Sequence, residues 1–402
     1  VSLPPLRLKK NEERRLRAGH LWVYSNEVDI AATPLKDFEP GTPVRIEDSR
    51  GHSLGNGYVN PHSLICARLV SRDPQYVLDK SLLKHRLNIA LSLRDTLFPQ
   101  PFYRLVHGEG DGLPGLVVDR YNDVLVAQIT TAGMEAQKDA IVAALEETLK
   151  PAAIVLRNDS GSRQAEGLES YTETVVGSAP ENVLVEENHS RFEVDVLGGQ
   201  KTGWFYDHRM NRARMQHYVK EQRVLDVFSY VGGWGIQALS AGAREVMCVD
   251  ASAAAIDRIH HNAGLNQYDG KPVADKLATA EGDAFEALKS LRQERERFDV
   301  VIIDPPAFIK RKKDFKEGLT AYRRLNQMAM QVLNKGGYLI SASCSYHLGH
   351  DQLRDTVLKA SRHVDRSAQL IEQGHQGPDH PVHPAIAETD YLKAFFVRVL
   401  MN

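Results

Sequence analysis

From residue 223 onward, short apolar runs alternate with helical patterns, and this alternation constrains the fold more than any other feature. Val300-Val301-Ile302-Ile303 is apolar at every position. A strand with one wet face alternates polar and apolar residues, so a continuous run needs cover on both faces. A parallel sheet layered between helices provides it. The pattern predicts strands over 223–228, 245–249, 277–281, 298–303 and 337–341, and two more near 368–371 and 394–400. Helices are predicted over 234–241, 252–264, 284–293 and 319–334. The expected architecture for residues 183–402 is a doubly wound, Rossmann-like α/β domain.

The first half reads differently. Residues 1–75 hold short apolar runs broken by Pro40-Gly41, Gly55-Asn56-Gly57 and Asn60-Pro61, which predicts a small β-rich domain. A helix follows from Ser81 and is closed by Pro99 and Pro101. Residues 107–115 carry four glycines and a proline and are excluded from helix or central strand. A hairpin over 116–129, a helix over 134–149 and a strand over 153–157 complete a central α/β domain, set at 76–182.

With 42% hydrophobic and 25% charged residues, the composition is that of a globular protein rather than a disordered or fibrous one. No run reaches the roughly 18 apolar residues of a membrane span, so no membrane association is expected. Three scattered cysteines exclude a disulfide framework or a four-cysteine zinc site and suggest a reducing, cytoplasmic setting. The net charge is only -2, but it is sorted. Segments 1–24, 201–223 and 309–316 each carry +4, so the rest of the chain carries -14. Such sorting fits phosphate contacts made by an otherwise acidic body.

The first core strand runs into Asp226-Val227-Phe228-Ser229-Tyr230-Val231-Gly232-Gly233-Trp234-Gly235. Residues 233–238 match the dinucleotide fingerprint, yet two features oppose a dinucleotide. Asp226 sits near the strand end, where it would face a ligand, and the loop is longer than a tight pyrophosphate turn. An acid beside such a loop suits a cationic ligand without phosphate, such as S-adenosylmethionine. Asp250, followed by Ala251, ends the next strand and can accept both ribose hydroxyls. Asp283 ends the third and can accept the adenine amino group, with Ala284 and its apolar neighbours covering the ring. Acids at the ends of three successive strands fit an adenosine ligand.

The fourth strand ends Asp304-Pro305-Pro306, where two prolines fix the backbone as it leaves the sheet. The fifth ends Ser343-Cys344-Ser345, placing Cys344 one strand from Asp304. Cys66 and Cys248 lie inside apolar runs and read as buried. A thiolate beside a methyl donor has a specific use. C5 of a pyrimidine becomes nucleophilic once a thiolate adds at C6, and Asp304 would hydrogen-bond or protonate N3 and the exocyclic edge. Cys344 and Asp304 are thus the expected catalytic residues, with the target base flipped out of its stack.

These residues resemble class I S-adenosylmethionine-dependent methyltransferases. The whole chain more closely resembles the 23S rRNA (cytosine-C5) methyltransferase family, which joins an N-terminal PUA RNA-binding domain and a central α/β domain to the catalytic one. Residues 14–28 look like the PUA opening, 108–121 like the central signature and 200–209 like the segment leading into the methyltransferase domain. The resemblance implies 23S rRNA or a large-subunit precursor as partner. It extends the expected cofactor set to Asp226, Phe228, Ser229, Gly232, Gly233, Asp250, Ala251, Asp283, Ala284, Asp304 and Pro305, with Lys201, Asp207 and Arg209 folding over the methionine end. Arg14, Arg15, Arg17, Lys310, Arg311, Lys312 and Lys313 are the expected RNA contacts. A homodimer is compatible with it. Ala307 stands where other RNA cytosine-C5 methyltransferases carry a second cysteine, which leaves the group that removes the C5 proton open.

Three rival readings stay open at this point: non-covalent guanine N7 or N2 transfer on the same fold, a non-enzymatic RNA-binding protein with a vestigial pocket, and a nicotinamide dehydrogenase. His375, Asp379, His380 and His383 cluster between prolines, with no cysteine or acidic shell to support a metal, and are expected to form a substrate-side loop instead.

Overall fold

Seven strands build the sheet that the alternating pattern predicts: β1 (Arg223–Val227), β2 (Glu245–Asp250), β3 (Leu277–Glu281), β4 (Phe298–Ile303), β5 (Leu333–Ser343), β6 (Arg366–Gly374) and β7 (Lys393–Met401). The order across the sheet is β3-β2-β1-β4-β5-β7-β6. The first five run parallel, and β7 inserts antiparallel between β5 and β6. The order reverses beside β1, which opens a crevice at the strands' C-terminal ends, where open α/β sheets take ligands. Helices α1 (Gly233–Ser240), α2 (Ala253–Gly264), α3 (Ala284–Gln293), α4 (Phe315–Gln331) and α5 (His350–His363) follow β1 to β5 in turn. Leu225, Val301, Ile303 and Leu339 from the sheet are buried against Leu288, Leu325, Met330 and Leu353 from the helices.

The structure, a computed structural model, describes residues 3–401. Contacts divide them into two units. This sheet belongs to the second, formed by 184–194, 207–377 and 390 onward. The first unit contains both earlier regions, together with 195–206 and 378–389, which return to it from later in the chain. Its N-terminal five-stranded sheet has the order Pro5–Arg7, Thr42–Glu47, Ser53–Val59, Ile65–Ser71 and Trp22–Tyr24. Its second sheet runs Tyr171–Gly177, Ala153–Asn158, Val124–Ile129, Leu116–Tyr121 and Phe102–His107, with helices Lys80–Leu97 and Lys138–Leu149 packed together beside it. The two sheets are pinned by polar contacts. Tyr58 donates its hydroxyl to the Pro114 carbonyl at 2.7 Å, and Arg68 pairs with Glu166 at 3.0 Å.

The helix predicted over 134–149 is two pieces, Ala132–Glu135 and Lys138–Leu149. Gly133 lies so close to the Tyr58 ring that a Cβ would stand 2.0 Å from it, so tertiary packing sets this break. Helix α5 was not anticipated. Among the described residues no helix is long and apolar enough to cross a membrane.

Candidate active site

The loop from β1 to α1 is held from beneath. Asp226 is fully buried, and its Oδ2 accepts from the Gly235 amide at 2.9 Å. The helix can approach only because residue 235 is glycine: a Cβ there would meet Cys248 Sγ at 2.5 Å. Phe228, Tyr230 and Gly232 take positive φ, the strained turn that returns the chain to the helix. Ser229 Oγ donates to the Asp226 carbonyl at 2.7 Å and accepts from the Val249 amide at 3.0 Å, tying β1 to β2. Burial pushes the Asp226 carboxyl up to about 7, against the Gly235 hydrogen bond, with the nearby Asp304 charge adding to the rise. The acid expected to face a ligand therefore lies under the loop, and its Oδ1 has no hydrogen-bond partner among the described residues.

Asp250 ends β2 at the same edge. Its Oδ2 accepts from the Tyr230 amide at 2.8 Å and its Oδ1 from Ser252 at 3.0 Å. Each carboxylate oxygen can accept once more, which suits a ribose diol. Ala251 beside it is exposed. Asp283 caps α3 by accepting from Phe285 and Glu286, and is itself exposed, while Ala284 is buried. Phe228, Phe285 and Phe308 gather at this edge, with Phe308 6.5 Å from Phe228 and 6.3 Å from Phe285 between ring centres. Such rings suit an adenine face.

Asp304 leaves β4 between two partners. Its Oδ2 accepts from Trp234 Nε1 at 3.0 Å, and its Oδ1 stands 3.2 Å from His208 Nε2. Burial would raise its carboxyl, but the His208 ring and the two hydrogen bonds outweigh burial and hold it below the ordinary value. His208 is itself set by Asn211, whose amide nitrogen is 3.2 Å from Nδ1. Pro305 is buried and Pro306 exposed.

Cys344 emerges from β5 half-buried, unlike Cys66 and Cys248, whose thiols burial pushes up, Cys66 to about 12. Tyr322 of α4 joins the β4 and β5 exits. Its hydroxyl lies 3.0 Å from both Ser343 Oγ and Ser345 Oγ and accepts from the Phe308 amide at 3.4 Å. The Ile309 amide also donates to Ser345 Oγ at 3.3 Å. Asp304 and Cys344 thus leave adjacent strands whose exits are laced together, one half of the site read from the sequence.

The remaining expected residues divide. Lys310, Arg311, Lys312 and Lys313 are exposed. A cleft of about 640 Å³ is lined by Lys312, Lys313, Phe315, Lys316 and His347. A second basic cleft, about 680 Å³, runs between α4 and α5 past Arg323, Arg324, Lys359, Arg362 and His363. Sequence reading missed it because its charges are spaced along two helices rather than in one run. Arg15 Nη2 donates to both carboxylate oxygens of Glu27, at 2.7 and 2.8 Å. Arg14 and Arg17 are exposed, with Arg17 paired to Asp48 at 3.0 Å.

Lys201, Asp207 and Arg209 each have a separate partner. Lys201 clusters with the first unit, its Nζ 4.6 Å above the Phe205 ring. Asp207 accepts from the Tyr391 hydroxyl at 2.7 Å. Arg209 is buried near Glu187, which Arg212 and Gln237 also contact at 2.6 and 2.9 Å. The loop expected at 374–384 is divided between the two units. Asp379 and His380 are buried in the first unit, where Asp379 accepts from the Arg104 amide and its carbonyl accepts from Arg94. His375 belongs to the other unit. A buried arginine needed these acceptors, and sequence spacing could not show it.

Comparison with known proteins is decisive for the family. A PUA-like domain matches residues 6–72, and the S-adenosylmethionine-dependent methyltransferase family matches residues 103–398. The chain belongs to that methyltransferase family. Ribosomal RNA large subunit methyltransferase I of Aliivibrio fischeri strain MJ11 is 38% identical over 397 residues, covering 98% of each chain. The protein of the same name from Cronobacter sakazakii is 37% identical with the same coverage. A solved methyltransferase, SMU.776 complexed with SAH, shares the fold with a TM-score of 0.84 at 20% identity, over 98% of this chain and all of that one. A SAM-dependent methyltransferase from Streptococcus mutans follows at 0.82, with the same identity and coverage.

The cofactor of this methyltransferase domain is S-adenosylmethionine. The residues present fit it: a glycine-bearing loop closed on β1, an acid with spare acceptor capacity at Asp250, and a cluster of phenylalanines at one sheet edge.

Proposed function

We propose that the chain methylates C5 of a cytosine in the 23S RNA of the large ribosomal subunit, through a covalent bond between Cys344 and C6. The observation that carries this reading is the half-buried thiol of Cys344 at the β5 exit, one strand from the hydrogen-bonded carboxylate of Asp304. The relatives named for large-subunit RNA methylation, which span nearly the whole chain, support the substrate, and the PUA-like domain and two basic clefts suit phosphate contacts.

When bound, S-adenosylmethionine supplies an electrophilic methyl group to C5. The chain's own residues do the rest. Cys344 Sγ forms a bond to C6, and the electron pair of the C5–C6 double bond becomes available at C5. Asp304, kept charged by His208 and Trp234, accepts a hydrogen bond from the exocyclic amino group and so orients the ring toward Cys344. When water takes the C5 proton, the C–H bond pair re-forms the double bond and the Cys344–C6 bond breaks, returning the thiolate.

RNA containing 5-fluorocytidine tests this. Fluorine cannot leave C5 as a proton does, so the adduct persists. Incubation with the chain and S-adenosylmethionine should give a denaturation-resistant complex, mapped by mass spectrometry to Cys344. Cys344→Ala should abolish both adduct and turnover while S-adenosylmethionine binding is retained. Full activity in Cys344→Ala would overturn the covalent route and favour transfer to guanine.

A further inference from the structure

Lys393 opens β7 directly opposite Ser343 of β5. It is buried, with 2% of its surface exposed. Its Nζ donates to the Ser345 carbonyl at 2.7 Å and to the Tyr391 carbonyl at 2.9 Å. The ammonium is therefore held one residue from Cys344. A hydrocarbon side chain would fill this place at lower cost, because stripping water from an ammonium is expensive. Two carbonyl oxygens offset only part of that cost. Burial lowers the Lys393 amine to about 8, while Asp390 and the Cys344 sulfur oppose the fall. The other polar groups around it are the Tyr322 hydroxyl on Ser343 and Ser345, and His350 at the start of α5, whose ring burial and this lysine both hold down.

We propose that Lys393 is a positioning residue for the Cys344 thiolate: its ammonium clamps the β5 exit and stabilises the negative sulfur. The thiol proton passes to water, the bond pair stays on sulfur, and the neighbouring positive charge favours that state. This rests on the reading of Cys344 as nucleophile. It also gives the buried charge a purpose that strand packing does not require.

The test is the pH profile of Cys344 alkylation by iodoacetamide in the full chain, followed by peptide mass spectrometry. Cys66 and Cys248 are buried and serve as unreactive internal controls. Lys393→Met should alkylate about tenfold more slowly at pH 7, the effect of moving a thiol's titration by one pH unit. Lys393→Arg should retain most of the wild-type rate, and S-adenosylmethionine binding by calorimetry reports whether each variant is folded. Should Lys393→Met fail to fold, the wild-type profile decides: a second inflection near pH 8 is expected as Lys393 loses its proton. A superimposable profile in a folded Lys393→Met, or a single-step wild-type profile of an ordinary thiol, overturns the role. A shifted profile without any 5-fluorocytidine adduct keeps the lysine's effect and removes the nucleophile reading. An adduct with an unshifted profile does the reverse.

Discussion

The exits of β1 and β4 lie side by side in one sheet, and each ends in an aspartate near the cofactor crevice. They behave oppositely. Asp226 is buried with backbone amide contact but no cation, and its carboxyl rises to about 7. Asp304 has His208 and Trp234, and its carboxyl falls below the ordinary value. The lesson is that a strand-end acid takes its role from the partner the fold brings to it. Asp226 anchors a loop from beneath, and Asp304 is held ionised beside His208 and Trp234.

Three substitutions sharpen that contrast. Asp304→Asn should have the largest effect, lowering kcat by about 10²- to 10⁴-fold in a tritiated-methyl transfer assay. A loss below tenfold would put Asp304 in the same structural class as Asp226. Asp250→Ala should come next, weakening S-adenosylmethionine about 10- to 100-fold by calorimetry, the cost of losing charged hydrogen bonds to a diol. Unchanged affinity would show that β2 ends in a loop anchor only.

Asp226→Asn should have the smallest effect, and one of opposite sign. Between pH 4 and 7 the unfolded acid has shed its proton while the native one keeps it, so stability falls as pH rises through this window. The amide carries no such charge and still accepts from Gly235. Its Tm relative to wild type should therefore be higher at pH 8 than at pH 5, by about 2–4 °C for each kcal/mol released. A difference independent of pH would mean that Asp226 is ionised at both values.

The sheet and its edge were legible because their signals are local. Continuous apolar strands, three strand-end acids, the double proline and Cys344 are all written in short segments. Helix α5 was not, since its buried face mixes Thr356 and Ser361 with Leu353, Val357 and Ala360 and blurs the period. His208 was invisible for another reason. It lies fifteen residues before β1, and only folding sets it against Asp304. Lys393 lies just before the strand expected near 394–400 and shows no sign of burial until its antiparallel register with β5 is known. The same holds for Arg209, whose neighbour Glu187 is 22 residues away in the chain.

The placement of β7 carries a consequence for how this protein is made. Among the described residues β6 pairs with β7 alone, and β7 follows it in the chain, so β6 has no neighbour in the sheet until β7 is in place. A nascent chain halted before residue 393 lacks two strands rather than one, and its thiol waits without the adjacent ammonium.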